Sequence, residues 1–134
     1  MTASILYKGD LRCECIHLQS GTMIETDAPT DNRGKGERFS PTDTVCVALA
    51  TCMITTIGIR ANDMQVNLAG TTLAVTKHML SEPRRIGQIE VVIQFPVNLE
   101  LPVKERLLFQ KIGDNCPVMK SIHPDIKVDV DYRW

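Results

Sequence analysis

The longest apolar stretch of the chain lies between Ser40 and Ala61 and has the pattern of a helix. Nearly every residue from Val45 to Ile59 is apolar or small, so apolar side chains would cover every face of that helix. A helix that is apolar all round is normally a buried one. One sheet of a small domain does not cover both sides of such a helix, whereas a second copy of the chain would. We therefore expect a buried central helix in an obligate dimer.

Three residues signal the start of this helix. Ser40 suits the N-cap, and Pro41 suits the first helical position, where its missing N–H costs nothing. Asp43 stands three residues after Ser40, in the position from which a side chain closes a capping box. The negative charge of Asp43 also suits the positive end of the helix. These features predict a well-capped first turn.

The residues ahead of the helix predict three strands and a loop. Alternating apolar residues and turn signals place strands at residues 2–8, 11–18 and Met23–Thr26, which would form an antiparallel meander. The segment Asp27–Phe39 is rich in Pro, Gly, Asp and Asn, and such composition is typical of an exposed loop.

The residues after the helix predict three more strands and two shorter helices. Alternation of apolar and polar residues indicates strands at Leu68–Met79, Ile86–Phe95 and Ile126–Tyr132. One helix should follow Pro102, and a short one should follow Cys116. The first of these would bury a face formed by Val103, Leu107, Leu108 and Ile112. The order βββ-α-ββ-α-α-β describes an α+β fold, with helices on an antiparallel sheet, in one domain over residues 1–134.

Composition restricts the classes of partner. The net charge of −1 over 134 residues gives no electrostatic reason to bind nucleic acid or an anionic membrane. No apolar run reaches the roughly 18 residues of a membrane span without a polar interruption, and the N-terminus lacks the pattern of a signal peptide. We therefore expect a cytoplasmic protein. In that compartment the five cysteines should be buried, metal-binding or reactive, because a secreted disulfide scaffold is not indicated.

Two cysteines are candidates for chemistry. Cys116 stands where a short helix begins, and backbone N–H groups with the helix dipole lower the pKa of a cysteine there. The alternative is an N-cap residue without chemistry. Cys52 lies about three turns into the apolar helix, where a cysteine is more often a small hydrophobic residue than a nucleophile. A reactive Cys52 would need a nearby cation, which the preceding loop could supply through Arg33, Lys35 or Arg38.

The other three cysteines are interpreted as packing residues. Cys13, Cys15 and His17 alternate along one predicted strand, so their side chains share a face and form a candidate soft-metal site. That set lacks a fourth ligand, and adjacent strand positions suit a tetrahedral ion poorly. A half-buried strand face is therefore preferred, and no metal is expected. Cys46 should lie in the core.

Three segments occur in an order that resembles a known family. They are a glycine-containing loop leading to a helix start, GKGERFSPTDTV, a small-residue run ending in cysteine, ALATC, and a second helix start, CPVMKSI. Together they resemble the OsmC/Ohr family, which comprises osmotically inducible protein C and the organic hydroperoxide resistance proteins. The resemblance covers nearly the whole chain. The sequence is closer to a divergent branch of that family than to its well-studied members.

The resemblance implies an OsmC-like fold, an intertwined homodimer whose long helices are buried between two wrapped sheets. It implies a thiol peroxidase site at the subunit interface, with Cys52 as the peroxidatic cysteine and Cys116 as the resolving one. Cys52 would become a sulfenic acid while reducing a small apolar hydroperoxide, and Cys116 would convert it to a disulfide that an external dithiol reduces. No metal or organic cofactor is implied.

The helix start departs from the family pattern. Well-studied members carry Asn-Pro-Glu there, and that Glu helps to hold the arginine that activates the cysteine. Here Thr42 follows Pro41, and Asp43 is the nearest acid. Arg33 fits best as the activating arginine, with Arg38 as the alternative. The departure supports a second hypothesis, a non-catalytic or redox-sensing protein of the same fold that binds a small lipid-like ligand.

Overall fold

The computed structural model describes all 134 residues, which form two compact units, Met1–Val45 and Cys46–Trp134. In chain order the elements are β1 (Ala3–Gly9), β2 (Arg12–His17), β3 (Met23–Asp27), a 3₁₀ turn (Thr30–Asn32), α1 (Pro41–Asp63), β4 (Thr72–Ser81), β5 (Arg84–Gln94), α2 (Val103–Gly113), α3 (Pro117–Ser121) and β6 (Lys127–Arg133). This is the predicted order of strands and helices, and it confirms the α+β class. The assignment of the whole chain to one domain stays a prediction.

The first unit contains the predicted antiparallel meander. Its central strand is β2, and Cys15 of β2 lies opposite Ile5 of β1 and Ile24 of β3. The turn between β1 and β2 uses Gly9 and Asp10, which both have positive φ, at 85° and 49°. Glycine and aspartate tolerate that left-handed conformation better than most residues do.

A buried carboxylate ties the meander to the loop that follows it. Asp27, at the end of β3, is only 2% exposed. Its two oxygens accept hydrogen bonds from the Arg12 guanidinium at 2.7 and 2.8 Å, and one of them also accepts the Glu37 backbone N–H at 3.1 Å. Arg12 in turn donates to the Glu37 carboxylate at 2.7 Å. The loop that composition predicted is therefore anchored by charge rather than by apolar packing.

The capping box predicted for α1 is confirmed. The Asp43 backbone N–H donates to Ser40 Oγ at 3.1 Å, and the Ser40 backbone N–H donates to Asp43 Oδ2 at 2.7 Å. Two N–H groups that the helix itself leaves without partners are satisfied in this way. Ser40 is 1% exposed, so its backbone group would not find water instead.

The second unit contains a mixed sheet. β5 is the central strand, paired antiparallel with β4 and parallel with β6. The sequence pattern suggested a single antiparallel sheet, whereas the six strands form two sheets of three. The connection through α2 and α3 is long enough to bring the chain back in the direction of β5, as a parallel pair requires.

One face of α1 packs with β5 to form the core. The buried residues of the helix are Cys46, Leu49, Ala50, Met53, Ile57 and Ala61. Most of them share one cluster with Ile86, Ile89, Val91 and Ile93. The opposite face is open in the single chain, where Val45 is 37% and Ile59 67% exposed. Burial on every side, which the sequence predicted, is therefore not achieved by one copy of the chain.

Two further elements differ from the predictions. β4 begins at Thr72 rather than Leu68, because residues 68–71 form a turn in which the Thr71 N–H donates to the Leu68 carbonyl at 3.1 Å. In α2 the buried residues are Phe109 and Gly113, whereas Val103 and Leu107 of the predicted face are exposed. Phe109 decides the orientation of α2, since its ring packs on that of Trp134 with centroids 6.4 Å apart.

The helix α1 is also long and apolar enough to cross a membrane, by length and composition alone. The sequence led us to expect no such helix, because no apolar run of about 18 residues is free of polar interruption. One such helix carries little weight, since the core helix of a globular protein meets the same criterion, and α1 provides much of this core.

The charge of Asp27 should make the first unit sensitive to acid. Arg12 holds the pKa of Asp27 down to about 2, first through its hydrogen bonds to the carboxylate, whereas an unfolded aspartate titrates near about 3.9. The stabilisation is therefore present above about pH 4 and is lost as the pH falls towards 2. Urea unfolding should show a free-energy difference between wild type and Asp27→Asn that is largest at neutral pH and shrinks over that window.

Asp10→Asn is the matched control for this experiment. Asp10 pairs with Lys35 at 3.3 Å, but its side chain is 84% exposed, so its removal should change unfolding little at any pH. A difference between wild type and Asp27→Asn that stays constant from pH 7 to pH 2 would contradict the assignment.

Candidate functional site

The two cysteines predicted to react are neighbours. Cys52 lies in the middle of α1 and is half-buried, and Cys116 directly precedes α3 and is 0% exposed. Both belong to the same apolar cluster, and the Cys52 thiol is close enough to interact with the Cys116 thiol. Both are free thiols. The fold thus brings together two cysteines that are far apart in the sequence, as an intramolecular disulfide would require.

Backbone hydrogen bonds fix Cys116 on both sides. Its N–H donates to the Gly113 carbonyl at 3.1 Å, and its carbonyl accepts the Lys120 N–H at 3.1 Å. Its sulfur accepts the Met119 N–H at 3.5 Å, so Cys116 is the N-cap of α3, as predicted. The sulfur is thereby aimed at the first turn of the short helix.

Burial decides the protonation of Cys116. The sequence predicted a lowered pKa from the helix start, and this prediction is wrong. Burial in the apolar cluster raises the pKa of the Cys116 thiol, and the neighbouring Cys52 thiol raises it further. The backbone N–H groups of Met119 and Val118 act in the opposite direction, but they do not outweigh burial. Desolvation is the larger effect because a thiolate loses all its contact with water here.

Cys52 contacts a hydroxyl of its own helix. Its sulfur lies 4.0 Å from Thr56 Oγ1, one turn further along α1. The Thr56 hydroxyl donates its proton to the Cys52 carbonyl at 2.7 Å, so its oxygen faces the sulfur as an acceptor. The Cys52 thiol can therefore donate to it, which gives the side chain a preferred direction.

An open groove of roughly 450 Å³ lies beside α3. Its lining combines polar groups at the end of α2 with side chains of α3 and β6, namely Gln110, Asp114, Met119, Val128, Val130 and Tyr132. Met119 is the residue whose N–H contacts the Cys116 sulfur. The groove therefore borders the segment that carries Cys116, although Cys116 itself is not exposed to it.

The remaining predicted site residues lie in the first unit. Arg33 is exposed and ends the 3₁₀ turn with a φ of 65°. Arg38 donates to the Glu25 carboxylate and to the Glu37 carbonyl, both at 3.0 Å. Asp43 closes the capping box of α1. Roles of these three residues towards Cys52 stay predictions.

The other cysteines have packing environments. Cys46 is 2% exposed and lies in the core, as predicted. Cys13 and Cys15 are half-buried on β2. His17, the third member of the candidate metal set, is exposed, and its Nδ1 lies 2.7 Å from Ser20 Oγ.

Tyr132 and Asp114 form a pair beside Cys116 that the sequence did not reveal. The Tyr132 hydroxyl donates to the Asp114 carboxylate at 2.8 Å, just two residues ahead of Cys116. Tyr132 entered the sequence analysis only as an alternating residue of the last strand. No local pattern would have revealed the pair, because the bond joins β6 to the end of α2.

Comparison with known proteins identifies similar chains. A sequence model of the family described as OsmC-like protein matches residues 34–131. A crystal structure from Psychrobacter arcticus 273-4, of a candidate osmotic stress induced and detoxification response protein, is 50% identical in sequence. That match covers 99% of this chain and 96% of that chain, with a TM-score of 0.94.

More distant structures share the fold. An organic hydroperoxide resistance protein OsmC from Legionella pneumophila is 16% identical, with 100% of this chain and 98% of that chain covered and a TM-score of 0.70. The organic hydroperoxide resistance protein OhrB of Bacillus subtilis is 13% identical, with coverages of 99% and 98% and a TM-score of 0.65. At these identities the likeness concerns the fold alone. No curated protein matches the chain.

The proximity of the two thiols predicts which disulfide forms first. Mild oxidation with diamide should join Cys52 to Cys116 and leave Cys46 reduced, as measured by peptide mass spectrometry after alkylation. Because the pKa of Cys116 is raised, the rate should still be increasing at about pH 9, above the ordinary thiol pKa of about 8.5.

Cys52→Ser is the control for this mapping, since it should leave Cys116 reduced under the same conditions. Appearance of other intramolecular disulfides in wild type while Cys52 and Cys116 both stay reduced would contradict the described geometry.

Proposed function

This chain belongs to the OsmC-like protein family, and from that membership we propose that it is a cysteine-based peroxidase that reduces organic hydroperoxides at the expense of an external dithiol. The observation that carries the proposal is the pair of neighbouring free thiols, Cys52 and Cys116, in an apolar cluster. Structures of the same fold that are described as organic hydroperoxide resistance proteins support the choice of substrate class.

The first step consumes the peroxide. The Cys52 thiolate attacks the terminal oxygen of the hydroperoxide, so that an S–O bond forms while the O–O bond breaks. The departing alkoxide takes up a proton and leaves as an alcohol, and Cys52 becomes a sulfenic acid. Cys52 suits this role better than Cys116, because it is half-buried whereas Cys116 has no exposed surface.

The second step closes the disulfide. The Cys116 sulfur attacks the sulfenic sulfur, an S–S bond forms, and the hydroxide that leaves takes the thiol proton as water. An external dithiol then exchanges with this disulfide, is itself oxidised, and restores both cysteines. The raised pKa keeps Cys116 protonated until the sulfenic acid forms, so the two cysteines do not compete for peroxide.

The surroundings of the pair favour an apolar substrate. Partly buried hydrophobic side chains pack against the cluster that contains the two cysteines, among them Ile54, Met79, Val118, Met119, Ile122 and Ile126. An organic hydroperoxide would exchange water contacts for contacts with such side chains, whereas hydrogen peroxide would gain little. We therefore propose organic hydroperoxides, rather than hydrogen peroxide, as the preferred substrates.

Activation of Cys52 is assigned to Arg33, with Arg38 as the alternative. A guanidinium near the thiol would stabilise the thiolate that attacks the peroxide. Arg38 is already paired with Glu25, whereas Arg33 lies at the end of the exposed 3₁₀ turn. Asp43 remains the acid proposed to assist the arginine in place of the usual Glu.

We also propose that a second copy of the chain covers the open face of α1. The hydroxyls of Thr51 and Thr55 on this face donate to carbonyls of their own helix, at 2.8 and 2.9 Å. Their methyl groups can then serve as apolar surface beside Ile59, which is 67% exposed. Such a continuous apolar strip is typical of a surface that another chain covers.

A redox-sensing or ligand-binding role on the same fold is the alternative. The raised pKa of Cys116 favours it, since a protonated resolving cysteine closes a disulfide slowly. Thr42, which stands where the family's Glu is expected, favours it too, since its hydroxyl lies 3.1 Å from Ser40 Oγ and adds no charge. Such a protein would form the same disulfide but would turn over too slowly to remove peroxide.

The peroxidase proposal predicts different results for the two cysteine variants. With cumene hydroperoxide and a dithiol, Cys52→Ser should lower the rate by at least about 1,000-fold, as loss of a nucleophile does in other enzymes. Cys116→Ser should still consume one equivalent of peroxide per chain and accumulate a sulfenic acid, which dimedone traps. Cys46→Ser is the control and should keep the wild-type rate.

Equal and slow consumption by wild type and Cys52→Ser would reject the peroxidase. A small molecule retained by the purified protein in native mass spectrometry, together with that result, would favour the alternative.

The dimer proposal is tested by light scattering after size-exclusion chromatography. Wild type should have the mass of two chains, and Ile59→Arg should have the mass of one, because a charge would be buried in the apolar strip. Val97→Arg is the control, since Val97 is 93% exposed and lies outside α1. A wild-type mass of one chain at micromolar concentration would refute the proposal.

A further inference from the structure

Tyr132, near the end of β6, is bonded to the last turn of α2. Its hydroxyl donates to the Asp114 carboxylate at 2.8 Å and, more weakly, to the Gln110 carbonyl at 3.3 Å. That carbonyl also accepts the Asp114 N–H at 2.9 Å. One phenol therefore connects the sheet to the segment Gly113–Cys116. This segment joins α2 to α3, and we call it the cysteine corner.

Gly113 allows the Tyr132 hydroxyl to come close to the end of α2. A Cβ atom at this position would lie 2.7 Å from the Tyr132 hydroxyl and 3.0 Å from Ile57 Cδ1, and the first distance is shorter than packed atoms allow. The Gly113 carbonyl accepts the Cys116 N–H. The glycine thus lets the phenol reach the turn that sets the position of Cys116.

The two ends of the cysteine corner, Gly113 and Cys116, are buried, but its middle, Asp114 and Asn115, is exposed. Tyr132, Asp114 and Met119 line the open groove of roughly 450 Å³, so there is space into which the corner can move. The exposed middle is held by polar contacts, in which Lys120 donates to Asn115, Asn115 donates to the Lys111 carbonyl, and the Asn115 N–H donates to the Ile112 carbonyl. The order of this exposed middle therefore depends on a few hydrogen bonds, of which the one from Tyr132 to Asp114 joins it to β6.

The phenol stays a hydrogen-bond donor under all physiological conditions. Burial and the Asp114 carboxylate raise the pKa of Tyr132 well above its usual range. A neutral phenol beside an ionised carboxylate makes a charge-assisted hydrogen bond, which is stronger than one between neutral groups.

We propose that Tyr132 is a positioning residue, whose hydroxyl holds the cysteine corner against β6 and so keeps Cys116 buried beside Cys52. Without the hydroxyl the corner moves into the groove, and Cys116 is displaced from Cys52 for part of the time. The effect on turnover rests on the proposed function, because it concerns the step in which Cys116 attacks the sulfenic acid. The order of the corner in the reduced protein does not rest on it.

The test uses Tyr132→Phe, which keeps the ring and removes the hydroxyl. In reduced protein at fixed pH, alkylation of Cys116 by iodoacetamide should become about 2- to 10-fold faster, the factor by which one hydrogen bond changes an opening equilibrium. Peptide mass spectrometry reports the rate for each cysteine separately. Asp114→Asn keeps an acceptor oxygen for the phenol but removes the charge, so its rate should lie between those of wild type and Tyr132→Phe.

Two controls separate local opening from general destabilisation. Cys46 is also buried, at 2% exposure, but it lies on α1 and not in the corner, so its alkylation should not change. Tyr7→Phe removes the other tyrosine hydroxyl of the chain, which accepts the Leu11 N–H at 3.3 Å, and should leave Cys116 unaffected. An unchanged Cys116 rate in Tyr132→Phe, or a parallel rise at Cys46, would overturn the proposal.

A kinetic measurement distinguishes this inference from the proposed function. After one equivalent of hydroperoxide, Tyr132→Phe should form the sulfenic acid at the wild-type rate but close the disulfide about 2- to 10-fold more slowly. If wild type shows no peroxidase activity and Tyr132→Phe still exposes Cys116, the function fails and the positioning role stands. If activity is present and disulfide closure is unchanged in Tyr132→Phe, the positioning role fails alone.

Discussion

The packing of one face of α1 against β5 determines where both thiols lie. Met53 points into that core at 0% exposure, and Cys52, its neighbour in sequence, lies at the edge of the same face. One side of Cys52 therefore meets the apolar cluster with Cys116, and the other side is accessible. The same helix has a second apolar face that the single chain leaves open. The core face, the sulfur proposed to react and the face proposed to bind a second copy thus all belong to one helix.

Two opposing effects act on the pKa of the Cys116 thiol, and the larger one determines its direction. The N–H groups at the start of α3 favour a thiolate, and burial in the apolar cluster disfavours it. Burial prevails because a five-residue helix provides few N–H groups, whereas a residue at 0% exposure loses all contact with water. The outcome suits the resolving role proposed for Cys116, in which it acts only after Cys52 has reacted.

Much of the fold could be predicted because its signals are local. The capping box of Ser40 and Asp43, the N-cap role of Cys116 and the order of the elements all follow from residues close together in sequence. The parallel pairing of β6, the buried face of α2 and the bond between Tyr132 and Asp114 depend on residues far apart. The pairing of Cys52 with Cys116 came from the family resemblance, since no rule based on either residue alone would have joined them.

The threonines on the open face of α1 have a consequence for the newly made chain. Thr51 and Thr55 have nearly the shape of valine, yet each carries a hydroxyl that its own helix satisfies. While this face is open, those hydroxyls can also turn to water and form hydrogen bonds with it, which valines could not do. If a second copy covers the face, as proposed, the bonds to the backbone leave no unsatisfied polar group behind. Threonine at these two positions is thus compatible with water and with a covering apolar surface alike.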